Sequence, residues 1–249
     1  MGKSMKISAI VIAKNEASRI VKCLSSLAWA DEIIVVDNGS TDTTREVANK
    51  KGAIVVSAGD TRDFAGLRNI GKEKAHGEWL LYIDADEVVT PQLSKEIQNV
   101  TRPPVSYAIH RKNFYLGQPW PFEEKILRLF HTSALKEWYG ELHESPRVEG
   151  EVGALRAPLL HDTHRTLEEM IAKTNEWSRV EAMLRLRSGH PPVAGWRFIR
   201  VMLPAFFDSF IRQGGWRAGV AGGSESIYQS FSIFITYAKL WELQNSHKP

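Results

Sequence analysis

Trp79-Leu80-Leu81-Tyr82-Ile83-Asp84-Ala85-Asp86-Glu87 is the stretch whose reading decides the fold. Five consecutive large apolar residues run straight into three carboxylates within four positions. An apolar run without alternation predicts a strand buried on both faces, as in a parallel sheet covered by helices. Gly77 bounds it upstream and Thr90-Pro91 downstream, a good N-cap followed by proline at the first helical position. The carboxylates therefore fall just past the carboxyl end of a central strand, where open α/β sheets hold their ligands. Asp84 and Asp86 are two apart, so a bend would let both reach one hard cation. Such a cation, kept partly hydrated, is a common grip on a diphosphate.

Working upstream, residues 6–13 and 33–36 repeat the wholly apolar pattern, and residues 53–57 make a third strand. Helices are predicted between them. Residues 16–29 place Ile20, Cys23, Leu24 and Leu27 on one face. Ser40 or Thr41 caps the next helix, with Asp42 in its first turn, Lys50 and Lys51 in its last and Gly52 at its exit. Residues 63–75 bury Phe64, Leu67 and Ile70. Four strands alternating with three helices predict a mostly parallel, Rossmann-like sheet with right-handed crossovers.

Downstream the pattern changes. Residues 106–110 and 126–130 read as strands separated by a loop rich in aromatics and proline (Phe114, Tyr115, Pro119, Trp120, Pro121, Phe122). Residues 137–144 mix Trp138, Tyr139, Gly140, Glu141, His143 and Glu144, a composition suited to a pocket wall. From about Thr166 the chain reads as helical. Residues 199–211 are apolar and flanked by Arg197, Arg200, Arg212 and Arg217, with Gly214-Gly215 and Gly222-Gly223 expected to interrupt. The domains expected are an α/β unit over residues 5–160 and a helical C-terminal extension over 161–249.

The chain has 249 residues, 43% hydrophobic and 24% charged, enough for a substantial core. A net charge of +3 gives no argument for nucleic acid. One cysteine, Cys23, excludes an internal disulfide and a cysteine-rich zinc site and suits a reducing cytoplasm. The apolar run at residues 7–13 is too short for a secretory signal and reads as the first strand. No stretch reaches the roughly 18 apolar residues of a membrane span. No G-x-G-x-x-G follows the first strand, which disfavours a dehydrogenase.

Asp37 and Asn38 end the second strand, where a nucleobase or ribose would lie beside the strand ends. An asparagine amide can accept from a uracil N3–H and donate to a uracil carbonyl. Together, Val11-Ile12-Ala13-Lys14-Asn15-Glu16, Val36-Asp37-Asn38-Gly39-Ser40-Thr41-Asp42, Arg68-Asn69 and Ile83-Asp84-Ala85-Asp86-Glu87 resemble the nucleotide-sugar domain of family 2 glycosyltransferases. Within that family the chain is most similar to bacterial β-1,4-glucosyltransferases of the lipopolysaccharide inner core. Many members have two aspartates where this chain has Asp37-Asn38.

The resemblance implies a GT-A fold and an inverting transfer from an activated sugar such as UDP-glucose to a glycolipid acceptor. It implies nucleotide-sugar contacts from Ala13, Lys14, Asn15, Glu16, Asp37, Asn38, Arg68, Asp84, Ala85, Asp86 and Arg128. Mg2+ or Mn2+ is implied through the DXD motif, Asp84 and Asp86, with Asp86 the more direct ligand and His161 completing the metal or diphosphate site. The metal serves as a Lewis acid on the departing diphosphate, and a carboxylate removes the acceptor proton. Glu144 is the first candidate for that base and Glu141 the second. Arg62 is a weaker phosphate candidate. A polyprenyl-phosphate acceptor, or a nucleotide-binding module without chemistry, is the alternative. A glycolipid acceptor implies a cytoplasmic protein in peripheral contact with the inner membrane, and residues 199–238 are long enough to lie in an interface.

Overall fold

The structure, a computed structural model, describes residues 6–100, 103–140 and 144–246. Its first half alternates as expected: β1 (Ile7–Ala13), α1 (Ile20–Ser26), β2 (Glu32–Asp37), α2 (Thr44–Lys50), β3 (Ile54–Ser57), α3 (Phe64–Lys74) and β4 (Trp79–Asp84). Next come β5 (Glu87–Val89), α4 (Pro91–Gln98), β6 (Ser106–Tyr115), β7 (Gln118–His131), β8 (Leu135–Tyr139), β9 (Ser145–Val148) and β10 (Val152–His164). The main sheet has the order β3-β2-β1-β4-β7-β6-β10-β5, and β8 pairs with β9 in a separate ribbon. β1 pairs in parallel with both β2 and β4, and β2 with β3. β7 joins β4 antiparallel, and β5 joins β10 antiparallel.

The uninterrupted apolar strands are explained by what lies on each face. Ala9, Val11, Leu81 and Ile83 face one core with Ile20, Cys23 and Leu24 of α1 and Leu93 and Ile97 of α4. Their neighbours Ile10, Ile12, Leu80 and Tyr82 face a second core with Leu67, Phe130 and Trp138. Fully burying a side chain of this size contributes about 1.5–3 kcal/mol, so both faces of β1 and β4 anchor the fold. Gly71 lets α3 lie close on the sheet, since a Cβ there would come 2.3 Å from Ile10 Cγ2.

Three expectations upstream of the helical region need correction. The helix expected over 16–29 is confined to Ile20–Ser26. Ser40 and Thr41 do not cap α2, whose N-cap is Thr43. Both are engaged by Asn15: Ser40 Oγ accepts from its N–H at 3.0 Å, and Thr41 N–H donates to its Oδ1 at 2.8 Å. The aromatic and proline-rich stretch is not a loop, because β6 and β7 extend through it. They turn at Leu116 and Gly117, both with positive φ (51° and 74°), as a two-residue hairpin turn requires. Other punctuation holds: Asp63 accepts from Gly66 N–H to cap α3, and Thr90 accepts from Leu93 N–H to cap α4.

The chain divides into two compact units, Met1–Lys112 with Glu124–His161, and Asn113–Glu123 with Asp162–Pro249. The second unit is built on α5 (Leu167–Arg187), α6 (Gly195–Phe207) and α7 (Gly219–Asn245), with a π-helical turn over Asp208–Arg212 and a 3-10 turn over Gly215–Ala218. Thr166 caps α5 by accepting from Glu169 N–H at 3.1 Å. Tyr228 of α7 donates to the Met170 carbonyl of α5 at 2.6 Å. Gly214, with φ 79°, interrupts the helices as expected. Gly222-Gly223 does not; it lies inside α7. A Cβ on Gly222 would meet the Gly215 carbonyl oxygen at 1.8 Å, so this glycine serves close backbone approach, not chain reversal. No helix of the described residues is long and apolar enough to cross a membrane.

Candidate active site

β4 ends at Asp84, the chain turns through Ala85 and Asp86, and β5 starts at Glu87. Ala85 is buried in the core, and the carboxylates on either side of it go to different partners. Asp84 N–H donates to Glu87 Oε2 at 2.8 Å, closing the turn. Arg68 of α3 donates from Nη2 to Asp84 Oδ1 at 3.0 Å, and Arg128 of β7 from Nη2 to Oδ2 at 2.5 Å. Arg68 also donates from Nε and Nη2 to Glu144 Oε1, at 3.0 and 2.8 Å. Behind them Glu87 Oε1 accepts from Arg111 at 3.2 Å and Arg128 at 3.4 Å, and Arg111 Nε donates to Glu124 at 3.0 Å.

Burial alone would push the Asp84 carboxyl up, yet Arg128 and then Arg68 hold it well below the usual carboxylate range. Burial dominates at Glu87 and raises it. Arg68 lies over the Trp138 ring, 4.8 Å from its centroid, within cation–π range. Asn69 fixes that tryptophan by donating to its carbonyl at 2.9 Å and accepting from its N–H at 2.8 Å. The Arg68-Asn69 pair thus ties the β8–β9 ribbon to the carboxylate end of β4.

Asp86 lies beside His161 and Arg19. Its Oδ2 lies 3.5 Å from His161 Nε2 and 4.0 Å from Arg19 Nη1, and Arg19 Nε lies 3.2 Å from Glu16 Oε2. Two guanidinium groups engage both oxygens of Asp84 in this structure. Among the described residues no three His, Cys, Asp or Glu side chains gather as a metal site. Asp86 and His161 nevertheless fit a divalent cation as a pair: one carboxylate oxygen and one imidazole nitrogen, close enough to share an ion. Sites for nucleotide-bound metals often take only one or two protein ligands, with phosphate and water supplying the rest. A mixed oxygen and nitrogen pair suits Mn2+ better than Mg2+.

At the carboxyl end of β2, Asp37 is wholly buried, with Oδ2 accepting from Ser40 N–H at 3.2 Å. Asp37 Oδ1, Arg68 Nη1 and Arg128 Nε are buried polar atoms without a hydrogen-bond partner. Leaving such a group unsatisfied costs about 1–3 kcal/mol, so an acceptor and two donors stand ready for a polar ligand. Asn38 does not offer its amide to a base here: Nδ2 donates to the Thr61 carbonyl at 2.9 Å and Oδ1 accepts from Thr61 N–H at 2.8 Å. Its buried side chain instead pins the loop before α3. Ala13 receives the Asn38 N–H at its carbonyl, and Asn15 sits at φ 55° over the α2 entrance. Glu16 N–H donates to Thr44 Oγ1 at 2.8 Å. Lys14 makes an exposed ion pair with Asp60 at 2.7 Å, worth little in stability.

Glu141 lies outside the described residues. Glu87, Arg19, Arg111 and Glu124 have parts that the sequence reading did not assign. One signal was available for Arg111: it stands two positions after the buried Ile109 on β6, as Arg128 stands two before Phe130 on β7. Nothing in the sequence pairs either arginine with Glu87.

The model of the Glycosyl transferase family 2 family matches residues 8–147, more than half of the chain. The chain belongs to glycosyl transferase family 2. Across 96% of its length it is 28% identical to the lipopolysaccharide core biosynthesis glycosyltransferase LpsC of Rhizobium meliloti, covering 93% of that protein. It is 26% identical to the glycosyltransferase RC0292 of Rickettsia conorii, over 97% and 93% of the two chains. In fold it is similar to the mannosyltransferase PcManGT of Pyrobaculum calidifontis, solved with GDP-Man and Mn2+, with a TM-score of 0.56, 14% identity and coverage of 97% and 88%. It is also similar to residues 1–349 of S. aureus TarS, solved with UDP-GlcNAc, with a TM-score of 0.50, 15% identity and coverage of 98% and 93%. This family 2 enzyme is thus a glycosyltransferase of GT-A fold, homologous to a lipopolysaccharide core transferase.

Proposed function

We propose that this family 2 glycosyltransferase moves glucose from UDP-glucose to a glycolipid of the lipopolysaccharide inner core, inverting the anomeric centre. The observation that carries the reading is the set of Arg68, Arg128, Asp86 and Glu144 at the end of β4, all within the family-matching residues, with His161 of β10 beside Asp86. Near full-length similarity to LpsC supports the class of acceptor.

Arg68 and Arg128 bind the donor diphosphate through the N–H groups that Asp84 leaves unused, and Asp84 keeps both guanidiniums in place. Asp37 accepts a hydroxyl or N–H of the nucleoside with Oδ1. Asp86 and His161 hold a divalent cation, which when bound supplies Lewis-acid stabilisation to the leaving diphosphate. Glu144 is the base that takes the acceptor proton. Arg68 holds its Oε1, so the other oxygen does this work, and the same arginine couples base to donor. Glu141 is the second candidate. Peripheral contact with the cytoplasmic face of the inner membrane brings the enzyme to its acceptor.

The test is hydrolysis of a panel of UDP- and GDP-sugars by purified protein, with Mn2+, with Mg2+ and with chelator. Transfer to heptose-containing core glycolipid and to a polyprenyl phosphate follows. Preference for UDP-glucose and core glycolipid supports the proposal; turnover only with a GDP-sugar, or only onto polyprenyl phosphate, overturns it.

A further inference from the structure

α6 has no buried residue. Its inner side rests on α7: the Phe198 and Phe234 rings lie 5.3 Å apart, and Ser230 donates to the Met202 carbonyl at 2.9 Å. Its outer side carries Trp196, Ile199, Leu203 and Phe207 at helical spacing, continued by Ile211 in the π-helical turn. Each is more than half exposed, Ile199 at 63%. Trp216 and Val220 follow, the latter 89% exposed. A row of seven large apolar side chains in water is unusual on a protein that stays in water, and marks an interaction surface.

The charge around this row is one-sided. Between residues 193 and 223 stand Arg197, Arg200, Arg212 and Arg217 against the single acidic residue Asp208. Four minus one gives this short segment +3, equal to the net charge of all 249 residues. The arginines also keep to the tryptophans: Arg197 and Arg200 lie 5.2 and 5.6 Å from the Trp196 ring centroid, and Arg217 lies 5.0 Å from that of Trp216. An arginine stacked on an exposed tryptophan presents an amphipathic unit, with the ring at the depth of headgroups and the guanidinium against phosphate.

We propose that the outer face of α6, with the turns up to Val220, is an anchor that lies in the surface of a bilayer bearing anionic phospholipids. Trp196, Ile199, Leu203 and Phe207 enter the boundary between headgroups and acyl chains, and Arg197, Arg200 and Arg217 pair with lipid phosphates, while Arg212 is held by an ion pair to Asp208. The two contributions are of different kinds. Apolar burial scales with the area inserted, and attraction of arginines to an anionic surface falls with salt. A neutral protein partner would explain the apolar row but not the arginines. An acidic protein would explain the arginines but not a convex helix edge of large side chains. The proposal deepens the peripheral membrane contact put forward above by assigning it to named residues and a lipid chemistry.

Flotation of the full chain with vesicles tests it, using phosphatidylcholine alone against phosphatidylcholine with about one-third phosphatidylglycerol, at low and high salt. The anionic vesicles should carry the protein and the neutral ones recover at least tenfold less. The double variant Ile199→Ser/Phe207→Ser should lower anionic recovery about tenfold at any salt. Arg200→Glu/Arg217→Glu should abolish the preference for phosphatidylglycerol while keeping the weak neutral binding. Equal recovery with both vesicles, or unchanged recovery for both variants, overturns the proposal. So does a concentration-dependent dimer by light scattering that Ile199→Ser/Phe207→Ser dissolves, since the face would then belong to a second copy. Nucleotide-sugar hydrolysis without lipid, measured on the same preparations, separates the two readings. Lost flotation with intact hydrolysis removes only the anchor, and intact flotation without hydrolysis removes only the proposed transfer.

Discussion

The end of β4 and the outer face of α6 break opposite rules. At the first, charges that belong in water are buried: Glu87, Arg68 and Arg128 sit together under the strand ends, around a half-buried Asp84. At the second, side chains that belong in a core stand in water. Buried charge is expensive unless every partner is present, so the first region must be cooperative, with each member holding the others. Exposed apolar side chains touch little, so the second must be additive, with each member removable alone. The same departure from ordinary partition therefore marks both regions, but only in the first does the fold depend on it.

The largest effects should come from removing one member of the buried set. Arg128→Ala leaves the carboxylates of Asp84 and Glu87 facing each other with one guanidinium fewer. The expected loss is about 3–5 kcal/mol of unfolding free energy, in the range for breaking a buried pair, read by urea denaturation. A loss under about 1 kcal/mol would mean that water or relaxation replaces the arginine and that the cluster is not cooperative. Asp86→Ala is the counterpart within the same site. Asp86 keeps to His161 and Arg19 at longer range, so this variant should fold with near-normal stability and lose transfer by at least about a hundredfold, the scale of losing a directly acting site group. Near-normal transfer by Asp86→Ala in chelator would remove Asp86 from metal binding.

Glu144→Gln comes next and probes the border between holding and reacting. Glutamine keeps the oxygen that accepts from Arg68 but cannot take a proton. UDP-sugar affinity should persist while turnover falls about a hundredfold, the lower end for loss of a general base. Calorimetric binding and initial rates, measured beside Glu141→Gln, decide the assignment. A dead Glu141 variant with an active Glu144 variant would move the base to Glu141 and leave Glu144 as a partner of Arg68 alone.

The two regions were not equally legible in the sequence. The apolar run from Trp79 to Ile83 could only be a strand covered on both sides, and the position of three carboxylates at its end followed from topology. Their partners did not follow. Arg68, Arg111 and Arg128 come from a helix and two strands, and which guanidinium meets which carboxylate depends on where those elements cross. That both arginines meet Asp84, while Asp86 lies by His161 and Arg19, is likewise not revealed by a two-residue spacing. The sequence offers Asn38 as a base-recognising amide, because its pairing with the Thr61 backbone is set by loop geometry. In the helical unit the apolar pattern located helices well, but periodicity alone does not tell which stripe is covered. Gly222-Gly223 reads as a break because sequence shows a glycine's freedom and not the carbonyl of Gly215 packed against it.

That close approach gives a smaller test inside the helical unit. Gly222→Ala must displace the Gly215 carbonyl, which a Cβ would meet at 1.8 Å, and should cost about 1–3 kcal/mol, as overpacking does. Gly223→Ala, one position on, meets nothing within 4 Å and should stabilise α7 by up to about 1 kcal/mol through helix propensity. Thermal melts of both variants would expose a shared effect, which would mean that flexibility rather than contact accounts for the pair.

The smallest expected effect is the one that most sharpens the contrast, and it lies on two adjacent residues of α6. Phe198 packs against Phe234 and sits with Val201 beside the cluster of Ala182, Val193, Tyr237 and Leu240. Ile199 points the other way and is 63% exposed. Phe198→Ala should cost about 1–3 kcal/mol, less than a fully buried phenylalanine because the site is only partly covered. Ile199→Ser should stay within about 0.5 kcal/mol of the parent, as surface substitutions away from special features do. Urea denaturation of the two variants at matched protein concentration reads both numbers. If Ile199→Ser costs as much as Phe198→Ala, the outer face is already covered by protein in solution. The apolar row would then be a core in its own right, and the opposition between buried charge and exposed apolar surface would fail on the α6 side.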